Sequence, residues 1–518
     1  MPRVVIKHCG AVGNGVIDDT AAIQSAIDQS PLGGTVDFGR GLTYRITKTL
    51  TLRMARTYIG SSTIKLDPQT ERGTPIAILP YGQDRHVHIE GLTFDASGVG
   101  GILLMSVGGS TIEPASDLII RKNVFQNSNP DAGSDAQSAL YDPVGIRNSE
   151  ISGNRFINVG KAVSLADLSN TSISHNQFDT VLKGGAISIK YCTGSVAREP
   201  VTVSFNSGKN LAGMAIEIVH VSSAPPGIVT VEGNRFSDWS PEVVSAHTAS
   251  GIFIAGGSGY RVLKNELTGA GPSGIHIASL GTLVDGNVIT GFDVGIMLEQ
   301  GSDSTISNNK LLSARVDGIA LTNAGAHKRV KILSNFIENA KRAGVSGLPM
   351  EYDQIEVADN QIFRAGGYYP DDASVTFYGF QVQPGCVGPS VWRNNTIAQT
   401  GLMPPAGFRF FGFGAFGACR GSRYSGNYIE SKSATPLGAA FLLQTAGVLD
   451  SDIVEDNAFV SLARVLEGPS EGLVIARNNV TCNMQDMTLA SVGTDGERCR
   501  PKVAAPLGPK DRRRQGIR

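Results

Sequence analysis

The sequence predicts an all-β protein, a right-handed single-stranded parallel β-helix (a solenoid) with a short N-terminal capping helix. Two observations carry this. An apolar stretch, an Asn, any residue, then Phe, Ile, Leu or Val recurs as LIIRKNVF (118–125), ISGNRF (151–156), RVLKNEL (261–267), LVDGNVI (283–289) and onward to VIARNNV (474–480). The Asn stands at 123, 154, 176, 206, 234, 265, 287, 309, 335, 360, 395, 427, 457 and 479, with a step of 22 residues where no insertion intervenes. Between these turns lies a second short strand, Gly or Ala then Ile-x-Ile/Leu, as in AIEIVH (215–220), GIFIA (251–255), GIHIA (274–278) and GIMLE (295–299). A period in the twenties made of alternating apolar residues marks a solenoid with one coil per repeat. The leucine-rich repeat is the competing solenoid, but its fixed leucine consensus is missing.

Taken in order, residues 10–47 form a distinct opening. Asp18 or Asp19 is placed to cap a helix over TAAIQSAID, whose Ile23, Ala26 and Ile27 share one face; Gly33-Gly34 ends it and TVDF starts a strand. An open solenoid end needs a cover. Residues 1–50 are therefore read as cap and first strands, 51–485 as the β-helix, and 486–518 as an end segment with a basic, disordered tail. Within each coil the Asn is expected at the sharp turn between strands, because Asn tolerates the left-handed region. Stacked coil on coil, the Asn amides would bond to one another inside the helix.

The overall charge is −1, unevenly spread. Eight Lys and Arg from Arg498 to Arg518 against Asp511 give that tail +7, which leaves the rest at −8. Nucleic acid is not an expected partner of this mildly acidic body. No apolar run is long enough to span a membrane, and MPRVVIKHCG enters the fold without a leader. Cys386 and Cys419 lie 9 and 8 residues before their Asn. Such positions on successive coils would be about 4.8 Å apart, within disulfide reach. Cys482 and Cys499 could close the C-terminal end. No CxxC pair points to a metal.

The opening GAVGNGVIDDTAAIQSAID followed by GGTVDFGRGLTYRI resembles the N-terminal signature of the pectate lyase superfamily, the pectin-lyase-like β-helix proteins. That opening is shared by polysaccharide lyases, glycoside hydrolases and phage tailspike depolymerases, so it implies the fold and not the reaction. The polygalacturonase-like NTD, DD, HG and RIK set, an epimerase-like DPHD and a calcium-binding Asp cluster are missing. The resemblance implies a substrate cleft on the first sheet of each coil, walled by loops. It implies a polysaccharide or oligosaccharide partner, no membrane, and a secreted, periplasmic or phage-virion location. With repeats running to about residue 480 and only a short tail beyond, a monomer is expected, or a trimer if the chain is of phage origin. No cofactor is expected, save calcium if the chemistry is that of a lyase. Three functions follow: a polysaccharide-cleaving enzyme, with glycoside hydrolysis preferred; a uronate lyase or epimerase; or a non-catalytic glycan-binding or tailspike-type β-helix.

Insertions enter around that strand, before it at 127–143, 237–250, 364–376 and 401–407 and after it at 191–200 and 220–227. Strand alternation turns the residue between the two apolar ones, and the one after them, outward. That exposes Lys190, Glu217, Phe253, His276 and Glu299, with His220 just past a strand end. His276 and Glu299 are neighbours. Glu217 and Glu299 are three coils, about 14 Å, apart, too far for a glycosidase pair, so Asp142, Asp167, Glu242 or Asp317 would supply the nearer partner. In a lyase, Lys190 with His220 or His276 would take the proton and stabilise the enolate. Trp239, Phe253, Tyr368 and Tyr369 are candidates to stack on sugar rings, and Asp371 and Asp372 to orient hydroxyls or hold an ion. A solvated charge ladder on an exposed sheet is the plain alternative. The Phe408–Phe416 run reads as core.

Overall fold

The computed structural model describes residues 2–482 apart from 81–85, 108–114, 130–137, 192–198, 222–228, 240–249, 323–326, 348–351, 365–375, 383–388, 400–407, 416–418, 432–437, 444–448, 451 and 468–473. Every strand pairing within it is parallel, and the one α-helix among the described residues is α1, Thr20–Gln29. A representative coil runs through Ile252–Ser258 on the first sheet, Arg261–Leu263 on the second and Glu266–Thr268 on the third, then re-enters the first sheet at Ser273–Leu280. The first sheet holds 16 strands. The second and third are joined at the N-terminal end by two long bent strands, Thr35–Ile46 and Arg56–Leu66.

Register produces continuous buried stacks. On the second sheet Val203, Val231, Val262, Val284, Ile306, Ile332 and Val357 pair in sequence and are all fully buried. On the third, Phe94, Phe125, Phe156 and Phe178 stack with centroids 4.9 to 5.3 Å apart. Phe410, Phe411 and Phe413 are core, as expected for that run. Burial of the inner face of each wall favours the β-branched and aromatic residues seen there.

The Gly that opens each Gly-Ile-x-Ile strand has a steric cause. At Gly318 an added Cβ would lie 2.5 Å from Ile337 Cγ2 and 2.6 Å from the Gly344 carbonyl of the next coil. The chain passes over the third-sheet stack at that point with no room for a side chain.

The Asn residues form one internal column. Asn154 Nδ2 donates to Asn176 Oδ1 at 3.0 Å and to Ile120 O at 2.8 Å, while its own Oδ1 accepts the Asn123 N–H at 3.0 Å. The same linkage runs unbroken from Asn123 to Asn479. One detail of the sequence reading is corrected. The left-handed residue is the one before each Asn, such as Lys122, Gly153, His175 and Lys264. The Asn itself stays in ordinary backbone so that its amide can point inward.

Helix α1 covers the open end with Ile23, Ala26 and Ile27 fully buried. Asp19 holds the N-cap position, but its carboxylate accepts from the Val12 and Gly13 N–H groups. Asp18 instead accepts the Thr20 N–H and the Thr20 and Thr47 hydroxyls; burial pushes its carboxyl up, but these bonds together hold it below the usual range. Among the described residues no helix is long and apolar enough to cross a membrane. Cys482 is disulfide-bonded; its expected pairing with Cys499, and that of Cys386 with Cys419, fall outside the described residues or side chains.

Candidate active site on the first sheet

Two outward columns run up the first sheet. Parallel register places Ser188, Glu217, Phe253, His276, Met297 and Ala320 in one. Lys190, Val219, Ala255 and Ala278 form the next, continued by Glu299, whose N–H bonds the Ile277 carbonyl. The inward partners Ile216, Ile218, Ile252, Ile254, Ile275 and Ile277 are fully buried, which fixes the alternation. Val219, Ala255 and Ala278 are small, so the second column is a shallow trough running from Lys190 to Glu299 beside a ridge of larger side chains.

His276 Nε2 and Glu299 Oε2 are 2.8 Å apart, with side-chain exposures of 17% and 36%. The edge contact of Phe253 with the imidazole, centroids 5.0 Å apart at 68°, closes another side. Burial pulls the His276 pKa below its ordinary value and outweighs the opposite pull of Glu299. Glu299 thus orients the ring, but the raised pKa that its charge alone would give is not found. On the other side of Phe253, Ser188 Oγ donates to Glu217 Oε2 at 2.6 Å. Lys190 is half-buried at the end of the trough, its carbonyl accepting the Asp167 N–H at 3.0 Å.

Other candidates fall elsewhere. His220 is buried, in register with the core residue Tyr191 and 5.8 Å from its ring, because the fifth residue of an inward-starting strand faces inward again. It is removed from the outward face. Trp239 is likewise core: it donates from Nε1 to Gly213 O at 3.1 Å and meets Phe292 edge-on. It offers no ring to a sugar. Of the partner carboxylates, Asp142 accepts two N–H groups of its own turn. Asp317, fully buried, is bound by Arg342 and Ser346. Tyr368, Tyr369, Asp371, Asp372 and Glu242 lie outside the described residues.

Alternation puts Ser188 on the coil before Glu217, but two features escaped the sequence reading. One is the hydrogen bond that Ser188 makes to Glu217. Further along, the column continues through Ser346 to Gln381, where Gln381 is nine-tenths buried and its Oε1 meets no partner among the described residues. Aligning GFQVQ (379–383) on GIHIA (274–278) places Gln381 on the outward column. Among the described residues no three His, Cys, Asp or Glu side chains converge as a metal site would require.

The fold is a right-handed parallel β-helix, and two family models match parts of the chain. Residues 3–199 match the family model "Rhamnogalacturonase A/epimerase, pectate lyase-like", and residues 214–397 match "Right handed beta helix region". A comparison with curated proteins found no match. Among solved structures, the chain is similar to the catalytic unit of a GH87 α-1,3-glucanase from Streptomyces thermodiastaticus (16% identity, 82% of this chain and 68% of that one, TM-score 0.42). It is also similar to the tailspike protein of E. coli bacteriophage HK620 in complex with a pentasaccharide (13%, 94% and 80%, 0.47). A third is PfbA, a surface adhesin of Streptococcus pneumoniae (13%, 94% and 91%, 0.32). Nothing about this chain's chemistry follows from likenesses at that level.

Proposed function

We propose that this chain is a carbohydrate-active enzyme that cleaves a polysaccharide lying along the first-sheet trough, by hydrolysis. The observation behind it is the His276–Glu299 pair on the outward face, with Phe253 and Glu217 in register beside it. An ionised Glu299 on Nε2 selects the tautomer with its proton there and leaves Nδ1 as the acceptor. The lowered pKa keeps the ring neutral near pH 7, so it can take a proton from water. Glu217, two strands away at about 10 Å of backbone separation, would protonate the leaving oxygen. Glu217 turns to Ser188 and His276 to Glu299, on opposite sides of Phe253; both would swing toward Phe253 with substrate bound to approach the roughly 6.5–9.5 Å of inverting glycosidases. Phe253, between them, is a platform for a sugar ring.

A second reading is favoured by the neutral imidazole, although Lys190, three coils or about 14 Å away, is too far to act on the same sugar. A uronate lyase or epimerase would use His276 to take the proton beside the carboxylate and a cation to hold the enolate. Digestion of a glycan panel decides between them: new reducing ends without ultraviolet absorbance support hydrolysis, and an absorbing unsaturated product supports the lyase. Glu217→Gln and His276→Ala should each lower turnover by at least about 100-fold with fold and glycan binding retained. Full activity in both variants would place the chemistry elsewhere.

A further inference from the structure

On the third sheet, away from the first-sheet trough, the outward side chains leave a groove of about 290 Å³ lined by Arg155, Gln177, Asp179, Ser207, Lys209 and Arg235. Register stacks Arg155, Gln177, Ser207 and Arg235 in one column and Asp179 and Lys209 in the next. The groove thus spans four coils, about 14 Å along the axis. Ser207 is the small residue of the outward column, whereas Gly208 beside it belongs to the inward aromatic stack, where Phe178 and Phe236 close over it.

Backbone strain marks two turns that flank it in sequence. The left-handed residues before the ladder Asn are Gly, Asn, Lys, Ser, Asp or His in every coil but one. The exception is Phe205 (φ 55°), two residues before Ser207. A left-handed bulky residue is a genuine outlier. Its ring is 55% exposed, held beside His175 at 5.3 Å. On the next coil Gly233 leaves it room, since a Cβ there would lie 2.7 Å from the ring. Among the described residues one β-branched side chain has a positive φ, and it is Thr180 (φ 65°), next to Asp179 on the groove's other edge. Strained residues cluster where a surface is shaped for a ligand.

We propose that this groove is a second glycan-binding site, for a carboxylate-bearing oligosaccharide. Phe205, exposed at the turn two residues before Ser207 and outside the groove's lining, would extend the site with a face on which a sugar ring stacks. Arg155, Lys209 and Arg235 outnumber Asp179, and the planar guanidinium fork matches a carboxylate. Among the described residues Arg235 pairs with Glu266 at 3.0 Å in an exposed ion pair, which an incoming carboxylate can replace. Gln177, Ser207 and Asp179 offer hydroxyl partners. Asp179, an acceptor only, finds hydroxyl donors on a sugar and none on a DNA phosphate backbone, the other ligand that Arg and an aromatic ring would suit. The site is independent of the chemistry proposed for the first sheet; it would hold a polymer chain on the outside of the solenoid.

Calorimetry on the full chain with a galacturonic acid hexamer, a neutral glucan hexamer and single-stranded DNA tests this. The acidic hexamer should show a binding component that the groove variants remove, and the other two should show no such component. Phe205→Asn, which suits the left-handed backbone, should weaken binding at least about tenfold while leaving the melting temperature unchanged or higher. Arg155→Gln with Arg235→Gln should do the same and flatten the salt dependence. Phe253→Ala, in the first-sheet trough, should leave this binding site intact. Equal binding of the neutral hexamer or of DNA overturns the proposal. So does binding that survives both groove variants, or that is lost with Phe253→Ala alone.

Discussion

His276 is the residue where the opposing effects can be weighed. Glu299 at 2.8 Å favours the imidazolium, burial disfavours it, and burial prevails. If the neutral ring is the base, the acid limb of the kcat/KM profile should fall below about pH 6.5, the ordinary histidine value. Glu299→Gln removes the attraction for the cation, so the limb should move to still lower pH as the rate drops. A limb moving upward would refute the balance described. The same shift bears on stability. The unfolded chain binds the His276 proton more readily, so its contribution is complete above about pH 6.5 and is lost as pH falls through the depressed folded value. The contact itself was legible in the sequence, because alternation and a coil-length step put residues 276 and 299 on adjacent outward positions. The pKa direction was not, since packing by Phe253 cannot be read from spacing. Alternation also puts residue 220 inward, whereas Trp239 lies past the end of a third-sheet strand, where no period says which way it points.

At the scale of the element, the Asn column and the Gly column explain why the repeat has the letters it has. Each interior Asn amide is shared between two coils: Asn287 Nδ2 serves Val262 O and Asn309 Oδ1, and its Oδ1 takes both the N–H and the Nδ2 of Asn265. Replacing Asn287 by Ala orphans buried groups on both neighbours and should cost about 1–3 kcal/mol in denaturant unfolding. Asn479→Ala should cost less, because the described ladder ends there: Asn479 accepts from Asn457 and donates to Val454 O. Equal losses at the two positions would mean that the amides do not act as a chain. The ladder followed from the fixed place of Asn within an apolar pattern. Which residue takes the left-handed turn did not, because Asn is enriched in that conformation generally and the pattern alone cannot separate it from the residue before.

For the whole molecule, a solenoid whose coils touch only their neighbours should lose structure from its ends. Helix α1 packs on the 3₁₀ turn Ile6–Cys9 and the strands Arg3–Val5, Thr35–Ile46 and Leu50–Thr51, all at the first coils. The strands bearing Glu217, His276 and Glu299 begin about 190 residues after α1 ends. Ile27 is fully buried in the helix's inner face, and Ile27→Ala should destabilise the cap by about 2–5 kcal/mol. Limited proteolysis read by mass spectrometry should then find new cleavage confined to the stretch from Thr20 to Leu66. Cleavage of the panel substrate should persist at denaturant concentrations that have already opened those coils. The uncoupling is the informative result, because each coil beyond the cap has its own apolar stacks and Asn links to the next. If Ile27→Ala instead shifts the loss of activity and the exposure of the first coils together, along one transition, the nearest-neighbour account fails and the chain unfolds as a single cooperative unit.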